Sequence, residues 1–350
     1  MQKQILRRWA AAACALLFLL PLCGCGAGKR LYSRSTFDCF DTVCTVSAYT
    51  GSPEEFDRLY ALALETMTAD HRRFDIYHEY EGMNNLCTVN LRAGEAPVKV
   101  ERELLDFLSS ALQLCAATEG SVNIAFGSVL SLWHTYRTAA NAQPDAAALP
   151  PQSELQAAAA HCDPDDVVLD FENETVFLRD GEMSLDVGAY AKGYAEEHTA
   201  KVLIANGYTN FALDFGGNIR TVGTKGDGSA WVCGVAQPQA LGADGYAAKL
   251  ATADAAVATS GNDLRTFTVD GVQYGHIISP EDLMPARRYL SVSVIAPDAG
   301  AADLLSTACF ILPYADGQKL ISSIPYAEAM WILPEGEILC TDGFSEYRAP

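Results

Sequence analysis

Asp186-Val-Gly-Ala-Tyr-Ala-Lys192-Gly-Tyr194 opens a stretch that stays helix-compatible to Asn206, stops at Gly207, and gives way to Phe211-Ala-Leu-Asp-Phe215 running into Gly216-Gly217. The spacing predicts a helix over 189–206, ended by a glycine that tolerates left-handed backbone, then a buried strand. A helix that hands over to a strand is the working unit of α/β and α+β domains. The same alternation recurs on both sides. Asp41 to Tyr49 reads as a strand, and Ser52-Pro-Glu-Glu as the capped start of a helix through Met67. Glu101 to Thr118 carries Leu104, Leu105, Leu108, Leu112 and Cys115 at helical spacing. Val167 to Phe171 and Thr175 to Leu178 flank Glu172-Asn173-Glu174 as a hairpin. Strands are predicted near 255–259, 266–269, 289–296 and 329–333, with helices over 301–312 and 316–322. Ala139 to Ala160, rich in Ala, Pro and Gln and broken at Pro150-Pro151, reads as a surface excursion followed by a helix capped by Ser153. No repeat is visible. The pattern is α/β or α+β, with enough strands for a large, partly antiparallel sheet.

Composition narrows the function. The 350 residues hold 24 Lys+Arg against 44 Asp+Glu, a formal net charge of −20. A charge of that sign repels polyanions, so no nucleic-acid partner is expected. At 49% hydrophobic residues the chain fills a sizeable core, which excludes global disorder. A phosphate-bearing ligand must then be held locally, by backbone N–H groups, a few cations or a metal.

The first residues have the grammar of an export signal: cations at Lys3, Arg7 and Arg8, an uncharged apolar run from Ala10 to Leu20, then Pro21-Leu-Cys-Gly-Cys25. The run is shorter than the ~20 residues needed to span a bilayer. Leu22-Cys23-Gly24-Cys25 resembles a bacterial lipobox, with Cys25 as the lipidated residue. The expected organisation is a signal peptide at 1–24, a lipid-anchored tether at 25–35 and one domain at 36–350. The expected location is the extracytoplasmic side of the cell membrane. Of 11 cysteines, eight lie beyond Cys25; no two of these eight form a C-x-x-C pair, so buried thiols are expected rather than a zinc site.

Four stretches place small or polar residues inside core-like segments. Asp186 to Tyr194 leaves a helix N-terminus open, with Lys192 as a cation; this is either an anion site or a plain, tightly packed helix start. Asp214-Phe-Gly-Gly-Asn218 either lets a ligand approach the backbone or simply turns. Thr259-Ser-Gly-Asn262, with Tyr274-Gly-His276-Ile-Ile-Ser-Pro280, puts a histidine between two apolar strands, as a structural residue or a general base. Asp303 and Thr307, four apart on a predicted helix, share a face that suits a hard cation or merely solvent.

Taken together, and in order along the chain, these motifs resemble the ApbE-type FAD:protein FMN transferases. The resemblance rests on Phe40-Asp-Thr, on Phe74-Asp-Ile-Tyr77 with Asn84-Asn85 and Asn90, and on Gly120-Ser-Val-Asn-Ile-Ala-Phe-Gly127 with Leu132-Trp133. It continues through Leu185 to Ala195, Asp214 to Asn218, Ala258-Thr-Ser-Gly261, His276-Ile-Ile and Asp303-Leu-Leu-Ser-Thr307. It implies a single T-fold-like domain with a large mixed or antiparallel sheet and flanking helices. It also implies Mg2+-dependent transfer of FMN from FAD to a Thr or Ser hydroxyl of an exported flavoprotein subunit of a redox complex, with release of AMP.

By motif position, Asp303, Thr307 and the Ala189 carbonyl would bind the metal, and His276, with Asp303, would be catalytic. Phe40, Tyr77, Ser121, Val122, Asn123, Asp186, Lys192 and Ile277 would contact FAD. Two departures stand out. Asn123 occupies a position where many members have Asp, and Ser279-Pro-Glu-Asp-Leu-Met-Pro285 replaces an Asp-Pro-x-Thr-Gly-x-Pro loop. They bear on acceptor choice more than on FAD binding. Hydrolysis of FAD by water, a flavin-binding lipoprotein without turnover, and a solute-binding lipoprotein are the alternatives; the last is disfavoured by the lack of two similar lobes.

Overall fold

A computed structural model describes residues 29–242, 245–263 and 265–349. Cys25 and the signal segment lie outside the described residues. The strands, in chain order, begin with β1 (Arg30–Thr36), β2 (Cys44–Thr50), β3 (Val98–Lys99), β4 (Val167–Asp170) and β5 (Thr175–Leu178). Next come β6 (Phe211–Phe215), β7 (Ile219–Val222), β8 (Trp231–Ala236), β9 (Tyr246–Thr252) and β10 (Ala256–Gly261). The last are β11 (Phe267–Val269), β12 (Val272–Tyr274), β13 (Ser291–Ala296), β14 (Glu328–Ile332) and β15 (Ile338–Cys340). The helices are α1 (Pro53–Phe74), α2 (Leu86–Leu91), α3 (Arg102–Ala117), α4 (Gly127–Ala142), α5 (Gln152–Ala159), α6 (Ala191–Ala205), α7 (Ala299–Ile311) and α8 (Tyr314–Ser322).

Eight strands form one sheet in the order β1-β2-β6-β7-β10-β13-β14-β15, every neighbouring pair antiparallel. Helices α1, α6 and α7 cover one face: Phe56, Leu59, Ala63 and Met67 of α1 pack with Val46, Ala48, Phe211, Leu213 and Phe215 of the sheet. Each fully buried side chain of this size contributes roughly 1.5–3 kcal/mol. The opposite face takes the β8–β9 hairpin, where Cys233, Val235 and Leu250 meet Val257, Ile295 and Met330. Covered on both sides, β13 is buried at all six positions.

Several expectations change. The tether ends early, because Arg30–Thr36 pairs in register with all of β2. As an edge strand of mostly polar side chains held by its backbone, β1 carries no apolar alternation to read. The stretch at 139–160 is no mere surface excursion. Helix α4 runs to Ala142, and Ala140 and Leu155 join Phe126, Val129, Trp133, Phe267, Ile278 and Leu283 in a second small core. Ser153 does not cap α5, which starts after Pro151 without a side-chain cap. Ser52 does cap α1, accepting from the Glu55 N–H at 3.2 Å. Of the eight cysteines beyond Cys25, seven are buried and Cys340 is half-buried. No helix among the described residues is long and apolar enough to cross a membrane.

Candidate active site

Helices α6 and α7 cross at Gly193 so closely that a Cβ there would stand 2.3 Å from the Ala299 carbonyl oxygen and 2.6 Å from Asp303 Cβ. With hydrogen alone in that place, the Gly193 N–H, in the first turn of α6, donates to Asp303 Oδ2 at 2.9 Å. First-turn N–H groups have no partner inside their own helix, and Asp303 satisfies this one; two residues before the helix stands the Ala189 carbonyl oxygen. That oxygen takes no hydrogen bond among the described residues. Asp303 is 3% exposed and also faces Lys192 Nζ, 3.4 Å away. One turn further along α7, Thr307 Oγ1 lies 3.1 Å from Ser260 Oγ of β10, which in turn lies 2.7 Å from Ser306 Oγ. Ser306 donates to the Asp303 carbonyl at 2.8 Å.

A carboxylate, a hydroxyl and an unclaimed carbonyl are the hard oxygen donors that magnesium takes. Among the described residues no three His, Cys, Asp or Glu side chains converge into a metal cluster. A cation here would therefore draw its remaining ligands from phosphate oxygens and water. The residues fit the metal that the motifs imply.

The other residues singled out in the sequence lie outside regular elements, at Phe40, Tyr77, Ser121–Asn123, Asp186 and His276–Ile277. Phe40, held at φ 57, stacks on Phe215 at 6.0 Å and meets His71 edge-on at 5.5 Å. Gly216 permits this, since a Cβ there would lie 2.2 Å from Thr42 Oγ1. The Phe40-Asp-Thr and Phe-Gly-Gly motifs are thus one structure. Tyr77 stands out from the surface at 62% exposure. Its turn is built on Asp75, whose carboxylate accepts from the N–H groups of Tyr77 and His78, at 2.7 and 3.1 Å, and from the Tyr80 hydroxyl at 2.8 Å. Burial pushes the Asp75 carboxyl up, but these bonds outweigh it and hold it below its ordinary value.

The 121–123 turn is tied to the Asp186 segment by the Asp186 N–H donating to Ile124 O at 2.8 Å. Ser121 is buried, with no partner for its hydroxyl among the described residues, and Val122 is buried beside it. Asn123 donates through Nδ2 to Cys162 O at 2.8 Å and accepts the Ala125 N–H at 2.8 Å. The amide is used on both ends, which explains an Asn where a carboxylate would set oxygen against oxygen. Asp186 accepts from the Gly188 N–H at 2.8 Å, and burial raises its carboxyl.

His276 does not sit between two apolar strands. It lies in the loop after β12, next to Ile277, which packs with Val292, Leu305 and Phe310. Ile277 seats this loop on the helix that carries Asp303. The loop closes through Ala286 N–H to Ile277 O and Ser279 N–H to Met284 O, both 2.8 Å.

Sequence reading missed several participants. Gly193 looked like any small helix residue. Glu196, one turn beyond Lys192, is fully buried with neither oxygen bonded among the described residues. Burial, together with Asp214 and Asp303 nearby, pushes its carboxyl well above the ordinary range. Burial likewise lifts Asp214 to about 6. The helical period from Lys192 would have placed Glu196 on the inward face.

A model of the ApbE family matches residues 40–331. An FAD:protein FMN transferase of Treponema pallidum is 32% identical over 335 residues, covering 92% of this chain and 90% of the relative. One of Vibrio cholerae is 28% identical over 271 residues, 77% of each chain. The ApbE protein of Thermotoga maritima superposes with a TM-score of 0.80 at 27% identity, over 92% of this chain and all of that one. The Vibrio cholerae flavin transferase ApbE has the same fold, with a TM-score of 0.76 at 22% identity. With the fold, the ordered motifs and a match over most of its length, the chain belongs to the ApbE family.

Proposed function

We propose that this chain is an FAD:protein FMN transferase, Mg2+-dependent, that joins the FMN half of FAD to a Thr or Ser hydroxyl of an exported flavoprotein and releases AMP. The observation that carries the reading is the geometry at Asp303, a buried carboxylate that accepts the Gly193 N–H and faces Lys192, with Thr307 one turn further along its helix and the Ala189 carbonyl, two residues before α6, unclaimed among the described residues. Asp303, Thr307 and Ala189 O would hold the metal. When bound, it neutralises charge on the diphosphate and activates the phosphorus for attack. Lys192 adds a second positive charge where the leaving AMP gathers negative charge. The acceptor oxygen bonds the FMN phosphorus, the bond to the AMP oxygen breaks, and His276 takes the hydroxyl proton. Phe40 and Tyr77 offer aromatic faces to the rings of FAD, and the Ser121–Asn123 turn and Ile277 complete the contacts. The lipobox at Cys25 supports an anchored enzyme on the extracytoplasmic side of the membrane.

The test incubates the chain lacking residues 1–25 with FAD and Mg2+, with and without an exported flavoprotein domain. AMP release is followed together with covalent flavin by mass. AMP matched by an FMN adduct, lost by at least a hundredfold in Asp303→Ala and sharply reduced in His276→Ala, is the expected result. AMP with free FMN alone identifies a pyrophosphatase, and retained FAD without AMP identifies a flavin-binding protein.

A further inference from the structure

In a chain of net charge −20, positive groups gather at one place beside the site. Tyr77 packs its ring 5.6 Å from that of His134 on α4. His134 Nδ1 lies 3.2 Å from Arg137 Nη2, one turn along the same helix. Arg137 forms no salt bridge among the described residues. From the other side, the segment between β10 and β11 brings Arg265, held at φ 53, to Asp41 Oδ2 at 3.3 Å, next to Phe40. Arg137, Arg265 and His134 all act on the Asp186 carboxylate, and both arginines act on Tyr77. Burial first, and then the charge of Arg265, hold the Arg137 guanidinium below its usual range. Two like charges are kept within reach of each other, and the carboxylate both act on, Asp186, opens the segment that carries Ala189.

Ala189 is three residues beyond Asp186, so even extended backbone keeps it within about 10 Å. The arginines therefore border the space where a diphosphate bridging Ala189, Lys192 and Asp303 would lie. A guanidinium fork matches two phosphate oxygens at once and stays charged at every working pH. We propose that Arg137 and Arg265 grip the diphosphate of FAD and supply most of its affinity before any metal is bound. This rests on the flavin transferase reading and adds two phosphate-binding residues to it. The pair also answers the charge problem, since an acidic surface needs a local cationic mouth to admit an anionic substrate.

The test measures binding of FAD, ADP and riboflavin to the intact chain in detergent, with a chelator present so that nothing turns over. Wild type is compared with R137A, R265A and the charge-retaining R137K and R265K, each checked for an unchanged melting curve. Each Ala variant is expected to weaken FAD and ADP roughly tenfold, the scale of one charged hydrogen bond lost. Riboflavin binding stays within a factor of two, the Lys variants recover part of the loss, and the salt dependence of FAD binding flattens. An equal loss for riboflavin overturns the inference, because the arginines would then touch the flavin ring. Unchanged FAD and ADP affinity with a raised KM for the acceptor protein also overturns it, and assigns the arginines to acceptor docking. If wild type binds FAD tightly while both Ala variants match it, only this inference falls. If wild type binds neither FAD nor ADP, the transferase reading falls with it.

Discussion

Asn123 shows how a single side chain is decided by its surroundings. Its Nδ2 donates to Cys162 O while its Oδ1 accepts from Ala125. Asn123→Asp replaces the donor with an oxygen facing a carbonyl, so the variant is expected to lose about 1–3 kcal/mol. Urea unfolding at neutral pH measures this, and an unchanged midpoint would mean that the amide bond to Cys162 contributes nothing. Asp214 is governed by burial, which lifts its carboxyl from 3.8 to about 6. A carboxyl raised on folding keeps its proton in the native state at a pH where the unfolded chain has released it. Its contribution is therefore fully present at low pH and is lost as pH rises from near 4 to near 6. Asp214→Asn, neutral throughout, is expected to be the more stable protein above pH 6, by on the order of 2 kcal/mol. The two should converge near pH 4. Unfolding curves at a series of pH values between 4 and 8 check the sign, and a variant less stable than wild type at pH 7 contradicts it.

Two joints between elements carry the site. Where α6 and α7 cross, Gly193 is the contact that lets a first-turn N–H of α6 reach Asp303. Gly193→Ala forces the helices apart at a cost of about 1–3 kcal/mol, and pushes Asp303 away from the first turn of α6 and from Lys192. Mg2+ affinity, read by calorimetry with ADP present, should fall by at least tenfold while the far-UV spectrum is retained; intact affinity would show that the crossing can relax without consequence.

In the loop after His276, Leu283 takes φ 61, a backbone conformation that glycine adopts most readily. The left-handed backbone costs roughly 1–2 kcal/mol. Against this, Leu283 is 8% exposed, packs in the α4–α5 core, and accepts the Trp133 Nε1–H on its carbonyl at 2.9 Å. Removing a buried Leu side chain costs about 2–5 kcal/mol, so Leu283→Gly is expected to destabilise by about 1–3 kcal/mol despite relieving the backbone. A rise in melting temperature would show that strain outweighs packing.

At the scale of the molecule, an eight-stranded antiparallel sheet faced by helices on one side and a hairpin on the other brings Asp303 to Gly193 and Lys192, Phe40 to Phe215, and Ile277 onto Leu305 of α7. Local patterning determined much of this by itself. The helix over 189–206 with its Gly207 stop, the strand 211–215, the Ser52 cap and the hairpin at 167–178 were readable because period, capping and turn chemistry act within a few residues. The order of the motifs determined the family, and the excess of carboxylates determined that phosphate must be held locally.

What the tertiary structure alone decided depends on partners far apart in the chain. The strand at Arg30–Thr36 exists because β2 offers it an edge, not because its polar side chains alternate. The core that joins Leu155 to Phe267 has no local signature. Gly193 matters only because Asp303, 110 residues away, comes to meet it. Nothing local marks Arg137 and Arg265, which come within reach of one carboxylate, Asp186, only through folding. Hydrogen bonding within an element follows from nearby residues, whereas close approach between elements, and the electrostatics it creates, follows only from packing.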